Sequence, residues 1–116
     1  MVTADSIREI VRDLPRAYEV VVRDRVKWRV GRIVFVALSR DESIIGFGFP
    51  RDERATALAG EPELFLPPEK SDERYQWLNA RMDVLDADRL RELVLDAWTM
   101  CVPKSIAADY LSRRIR

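Results

Sequence analysis

The feature that most constrains the fold is the alternating segment VVVRDRVKWRVGRIVFVALS at residues 20–39. Arg23, Arg25, Lys27 and Arg29 occupy every second position, and mostly apolar residues lie between them. Alternate side chains of a strand share a face, so the pattern predicts a strand with one basic and one apolar face. Gly31 then comes first in a two-residue loop, as in a type II′ hairpin. We therefore expect an antiparallel sheet built around this hairpin.

The turn also predicts a register. Strict pairing places Val30 opposite Ile33, Arg29 opposite Val34, Trp28 opposite Phe35, Lys27 opposite Val36 and Arg25 opposite Leu38. No acid lies across this hairpin from the basic face, although Glu19 in the preceding strand is an available partner. Either the basic stems cover apolar neighbours with their charges in water, or the hairpin is a basic binding surface. The equal numbers of basic and acidic residues, 20 of each, favour the first interpretation, because nucleic-acid binders usually carry a net positive footprint.

Helical and extended patterns alternate through the rest of the 116 residues. A first helix is predicted between an N-cap at Thr3 and Pro15, a long helix between Asp86 and Pro103, and a last helix over residues 103–114. Strands are predicted near residues 18–22, 25–30, 33–39, 43–49 and 75–84, and a short helix over 51–59. No repeat or linker interrupts the pattern. We predict a single α+β domain over residues 1–116, with helices packed on an antiparallel sheet.

Missing residue types exclude several kinds of chemistry. The chain has no histidine and one cysteine, Cys101, so a single chain holds no Ser-His-Asp or Cys-His catalytic group and no Cys/His zinc site of the usual ligand number. It also lacks a Walker-type phosphate loop. We expect no catalytic residues, no enzymatic activity, no metal and no cofactor. Trp77, Trp98 and Cys101 are in phase with apolar neighbours and are expected in the core.

Location is predicted from two further absences in the sequence. No apolar stretch approaches the roughly 20 residues that span a bilayer. The single cysteine excludes an internal disulfide, in agreement with a reducing compartment. We therefore expect a cytoplasmic protein without membrane association.

Several segments together resemble the MmcQ/YjbR family, in the branch common in actinobacteria. They are WRVGR at residues 28–32, FGFPRDERATAL at 47–58, EPELFLPP at 61–68, RYQWLNARMDVLD at 74–86 and LRELVLDAWTMCVPK at 90–104. The resemblance implies a small α+β fold related to secretion chaperones. It also implies DNA binding through two projecting β-hairpin loops, a double-wing motif, without a defined enzymatic activity.

The same resemblance indicates which basic residues would contact nucleic acid. Many relatives have a Gly-x-Pro turn before the basic strand, where this chain has Asp24-Arg25-Val26. Without that turn the basic row extends toward the N-terminus, whereas a bulge at Asp24 would split it. The candidate nucleic-acid-binding residues are Lys27, Arg29 and Arg32 in the first wing, Arg23 and Arg25 in the extension of the basic row, and Lys70 and Arg74 in the second wing.

These observations predict weak, non-specific binding to the phosphate backbone of DNA. The alternative is a protein-interaction adaptor of secretion-chaperone type, whose partner would contact an exposed apolar face with a basic rim. That face is expected to combine Val34, Val36, Ile45 and Phe47. An enzyme is the weakest hypothesis, because no catalytic constellation appears. The sequence does not indicate an oligomeric state.

Overall fold

Two consecutive hairpins form the first half of an antiparallel sheet, as the alternating segment predicts. The computed structural model describes residues 1–115, in which six strands and four α-helices form one α+β domain. The strands are β1 (Ala17–Val22), β2 (Arg25–Val30), β3 (Ile33–Leu38), β4 (Ile44–Gly48), β5 (Phe65–Leu66) and β6 (Trp77–Arg81). The helices are α1 (Ala4–Val11), α2 (Arg54–Gly60), α3 (Ala87–Thr99) and α4 (Lys104–Ile115), with 3₁₀ turns at Arg51–Glu53 and Lys70–Asp72. The strand order is β1-β2-β3-β4-β6-β5.

Helix starts follow the sequence signals. Thr3 is the N-cap of α1, and its backbone N–H donates to Ser6 Oγ at 2.9 Å. Asp86 is the N-cap of α3, where its Oδ1 accepts a hydrogen bond from the Arg89 backbone N–H at 2.7 Å. Such caps satisfy amide groups that the first helical turn leaves without partners. Both predicted caps are confirmed.

Two-residue turns join β1 to β2 and β2 to β3. Gly31 has a φ of 60° and Arg32 does not have a positive φ, as a type II′ turn requires. Arg23 and Asp24 have φ values of 52° and 66°, the combination found in a type I′ turn. Arg23 therefore lies in a turn and not in the basic strand. The predicted strand row of four cations is shortened to Arg25, Lys27 and Arg29.

A β-bulge in β3 changes the predicted register of the second hairpin. The observed pairs are Val30 with Ile33, Arg29 with Val34, Trp28 with Val36 and Lys27 with Ala37. The register shifts between Trp28 and Arg29, which leaves Phe35 as the extra residue. The predicted pairing of Trp28 with Phe35 is wrong. The bulge allows both Phe35 and Val36 to be fully buried, which strict alternation would prevent.

In the observed register, residues paired across neighbouring strands form rows that cross the sheet. Neighbouring rows point to opposite faces. Two buried rows are Trp28, Val36, Phe47 and Leu78, and Leu38, Ile45, Ala80 and Phe65. We call their side of the sheet the core face. Between them, on the other side, lies the row Lys27, Ala37, Gly46, Asn79 and Leu66. We call that side the open face.

The apolar face expected to receive a protein partner is not exposed. Val36, Ile45 and Phe47 each have 0% exposed surface, because the bulge turns Val36 toward the core face, where the other two already lie. Of the four predicted residues, Val34 alone lies on the open face. The prediction of an exposed apolar patch is therefore wrong.

Helices α1, α3 and α4 contribute the other half of the core. Trp98 of α3 has 0% exposed surface, and its Nε1 donates a hydrogen bond to the Pro15 carbonyl at 3.0 Å. Its ring meets Tyr110 of α4 edge-on, with 5.2 Å between the ring centroids. Trp98 thus links three segments that are distant in sequence, and its predicted place in the core is confirmed.

Candidate functional site

The open face contains a groove of about 1130 Å³. Its floor is formed by the smallest residues of the cross-sheet row, Ala37 and Gly46, so the groove runs between larger side chains at β2 and at β6. One wall consists of Arg25, Lys27 and Arg32. The opposite wall contains Leu66, Pro67, Glu69, Ser71, Asp72, Tyr75, Gln76, Trp77 and Asn79. The two walls differ in chemistry, one basic and the other aromatic and polar.

The basic wall has no acidic neighbour in the sheet. On β1, Lys27 lies opposite Val20 and Arg25 lies opposite Val22. Arg25 Nε donates a hydrogen bond to the Leu38 carbonyl at 3.2 Å. Within residues 1–115, no carboxylate lies within 4.0 Å of Arg25, Lys27 or Arg32. The charges of the wall are therefore available to an anion.

Glu19, the acid considered for neutralising the basic row, is used elsewhere. It lies opposite Trp28 in the β1–β2 register, which places it on the core side of the sheet. There the Arg8 guanidinium of α1 contacts it, with 2.8 Å from Arg8 Nε to Glu19 Oε1. Glu19 therefore anchors α1 to the edge of the sheet and leaves the basic wall unpaired.

Two other residues of the predicted basic row do not line the groove. Arg29 lies opposite Tyr18 and Val34, and its Nε is buried with no hydrogen-bond partner in the part of the chain that the structure describes. Arg23 lies in the β1–β2 turn. The structure brings together Arg25, Lys27 and Arg32 but not all five predicted residues.

The predicted second wing also differs from expectation. The loop at residues 67–76 turns Glu69 and Asp72 toward the groove, whereas Lys70 and Arg74 are exposed and do not line it. The Arg74 guanidinium lies 4.9 Å from the centre of the Tyr75 ring, and its Nη2 donates to the Tyr75 hydroxyl at 2.9 Å. The second wing thus contributes acidic and aromatic side chains to the groove.

Sequence reasoning missed Arg54, which fixes this loop. Its Nη1 donates to the carbonyls of Tyr75 and Trp77, both at 3.1 Å, and its Nη2 donates to the Glu73 carbonyl at 2.8 Å. Arg51 adds a bond from Nη1 to the Arg74 carbonyl at 2.8 Å. The planar guanidinium suits such forked contacts. The two arginines of the segment RDER, residues 51–54, could have been noticed in the sequence, but their positions did not indicate which carbonyl groups they contact.

Trp77 lies on the open face of the sheet. The prediction that it lies in the core is wrong. In β6 the burial alternates, so that Leu78 and Ala80 are buried while Trp77 and Asn79 are half-buried. The indole lies against the backbone of β4 at Gly46, where an added Cβ would be 2.6 Å from Trp77 Nε1. The alternation in WLNAR was the signal for this orientation.

Replacement of Gly46 by alanine is expected to displace Trp77 from the groove floor. The new methyl group would overlap the indole and would lie 2.8 Å from Asn79 Oδ1, so the unfolding free energy should fall by about 1–3 kcal/mol. Urea denaturation measures this, and tryptophan emission reports the displacement. Gly60→Ala is the matched control, because no atom lies within 4 Å of its added Cβ. Equal stability of the two variants would contradict the expectation.

Cys101 lies at one end of the groove, beside Met100. Its thiol donates to the Ala97 carbonyl at 3.6 Å, and burial raises the pKa of the thiol. The raised pKa favours the protonated thiol. Cys101 was expected within the core, but it is half-buried and packs against the edge of the core. Among residues 1–115, no three Cys, Asp or Glu side chains are grouped so that they could hold a metal ion. In the same part of the chain, no helix combines the length and the apolar character needed to cross a bilayer.

Comparison with known proteins identifies the domain type. A family model described as YjbR matches residues 12–100. The crystal structure of the Deinococcus radiodurans protein DR2400, which has a DUF419 domain, superposes with a TM-score of 0.77 and 17% sequence identity. The alignment covers 90% of this chain and 82% of DR2400. At this identity the likeness shows a shared fold. No curated protein matches the chain at a significant level.

Proposed function

The chain belongs to the YjbR family, and we propose that its open face binds the phosphate backbone of DNA weakly and without sequence preference. The observation that carries the proposal is the basic wall of Arg25, Lys27 and Arg32, which has no acidic partner on either neighbouring strand. Cations held on a strand and its turn need little rearrangement to meet an anion. Family membership accounts for the fold, and the unpaired cations of the basic wall are the reason to propose a polyanionic ligand.

Strand geometry makes phosphate contacts sterically reasonable. Arg25 and Lys27 are two residues apart on β2, which corresponds to roughly 6.6 Å along a strand. This is about twice the ~3.4 Å axial step between phosphates of one DNA strand. Glu69 and Asp72 on the opposite wall and the zero net charge weaken the attraction. Contacts to the backbone position a protein but do not read sequence, so little sequence preference is expected.

Fluorescence anisotropy with labelled DNA, single-stranded and duplex, tests the proposal. With about three phosphates neutralised, affinity should fall about 20- to 40-fold between 50 and 200 mM salt. A variant carrying Arg25→Glu and Lys27→Glu should lose most of the binding. The matched control carries Arg91→Glu and Lys104→Glu, two exposed cations outside the groove, and has the same net charge. Absence of binding at low salt, or equal binding by the two variants, would refute the proposal.

A protein-interaction adaptor is the alternative, but the apolar face that supported it is buried, so no observation now favours it. We also propose a binding role without catalysis. The side chains that converge on the groove are cations, amides, aromatics and two separate carboxylates, with no histidine in the chain to act as a general base near neutral pH. If the native protein did not bind DNA in the anisotropy experiment, the adaptor would become the leading hypothesis.

A further inference from the structure

The aromatic wall of the groove has a feature that phosphate binding does not use. Trp77 and Tyr75 line it together with Asn79 and Gln76. Neither the Trp77 Nε1–H nor Asn79 Oδ1 has a hydrogen-bond partner among the described residues, although Asn79 Nδ2 donates to the Pro67 carbonyl at 3.3 Å. A flat aromatic ring with an unpaired donor and an unpaired acceptor beside it, both near Gly46 at the base of the groove, matches the faces and edges of nucleobases.

The separation of the two walls limits what can enter. Lys27 on β2 and Asn79 on β6 belong to one cross-sheet row, with Ala37 and Gly46 between them. Three steps between neighbouring strands span about 14 Å between backbones, before side chains narrow the groove. A B-form duplex is broader than its own major groove, which is about 12 Å wide, so it does not fit between the walls once side chains narrow this span. A single strand, with phosphates on one side and bases on the other, is narrow enough.

Resting on the proposed function, we propose that the groove binds an unpaired segment of nucleic acid. The phosphates lie along Arg25, Lys27 and Arg32, and a base stacks on Trp77 while Asn79 and Gln76 face its edge. The small side chain of Ala37 leaves space beside the indole of Trp77, which itself lies over Gly46. Stacking tolerates every base, so the preference is for unpaired over paired strands and not for a sequence.

Tryptophan fluorescence offers a direct test, because the three tryptophans differ in exposure. Trp28 is 1% exposed and Trp98 0%, whereas Trp77 is half-buried and lines the groove. The probes are an oligothymidylate of about ten nucleotides, a duplex of the same length and an abasic deoxyribose-phosphate oligomer. We expect saturable quenching with the single strand, at least about tenfold weaker binding of the duplex, and binding of the abasic oligomer without quenching.

Substitution of Trp77 separates stacking from charge. With binding measured by the anisotropy of labelled probes, since this variant lacks the groove fluorophore, Trp77→Leu should weaken binding of the single strand by about 5- to 100-fold and leave the abasic oligomer unaffected. Trp77→Phe retains a ring and should bind the single strand within about threefold of the native protein. Because loss of folding would remove binding of every probe in the leucine variant, the unchanged affinity for the abasic oligomer also serves as the folding control.

The outcomes distinguish this inference from the proposed function. Equal affinity for single strand and duplex, with no quenching and no effect of Trp77→Leu, would overturn the inference while phosphate binding stands. No binding of any of the three probes would overturn both. Quenching by polyglutamate at an affinity equal to that of the single strand would overturn the inference in favour of an acidic protein segment.

Discussion

Replacement of Trp98 by alanine is expected to lower the unfolding free energy by about 3–5 kcal/mol. The side chain is fully buried, packs edge-on against Tyr110 and donates to the Pro15 carbonyl, so its removal leaves a cavity and an acceptor without a partner. Domains of this size are stable by about 5–15 kcal/mol, so the variant should lose a large share of its stability. The midpoint of urea denaturation measures the effect.

Two further variants serve as comparisons for Trp98→Ala. Trp98→Phe keeps one aromatic ring but loses the indole N–H and part of the buried ring volume, so it should cost about 1–3 kcal/mol. Tyr75→Ala removes an aromatic ring that is 52% exposed and should cost about 1 kcal/mol or less. A loss below about 1 kcal/mol for Trp98→Ala would show that α3 and α4 are not held through this residue.

The second hairpin turn, two helix starts and the orientation of β2 could be predicted, because each depends on a few neighbouring residues. Gly31 specifies its turn through a positive φ, Asp86 specifies a helix start through its side-chain oxygen, and Thr3 does so through a capping box with Ser6. Alternation between apolar and charged residues oriented β2. These features need no information about the rest of the chain, and all of them are found in the structure.

The bulge in β3 could not be predicted in the same way. The segment IVFVAL at residues 33–38 is apolar throughout, so no alternation indicates which side chains face the core. The local pattern therefore does not distinguish the two registers that differ by one residue. The observed register moves Val36 to the core and puts Ala37 beside Lys27. The face of each residue in β3 is decided by packing against α3 and β4, which lies outside the local sequence.

The groove itself was only partly predictable. Arg25 and Lys27 were identified from the alternation of charges in the strand and Arg32 from the family resemblance, and each lines the groove. The opposite wall depends on a loop, residues 67–76, whose path is set by contacts with α2 and the preceding 3₁₀ turn. Such contacts span about twenty positions of the chain, and a single sequence does not reveal them.

Arg54→Ala is expected to free this loop. The guanidinium donates to three backbone carbonyls, and hydrogen bonds from charged groups contribute about 1.5–3 kcal/mol each when they are protected from water. Two of the three are exposed here, so we expect a total loss of about 2–3 kcal/mol. Amide hydrogen exchange measures the opening directly. The Asp72 and Tyr75 amides, which donate to Glu69 and Asp72 carbonyls, should lose about 30-fold or more in protection.

Three comparisons make the Arg54 experiment specific. Arg54→Lys keeps the charge but cannot fork between carbonyls, so it should recover less than half of the lost protection. Arg51→Ala removes a single bond, to the Arg74 carbonyl, and should have a smaller effect. Arg91→Ala removes an exposed cation outside the loop and should change nothing there. Unchanged exchange of the Tyr75 amide in Arg54→Ala would mean that the loop holds its shape without the guanidinium. In that case the aromatic wall of the groove would be organised by the packing of Trp77 on Gly46 instead.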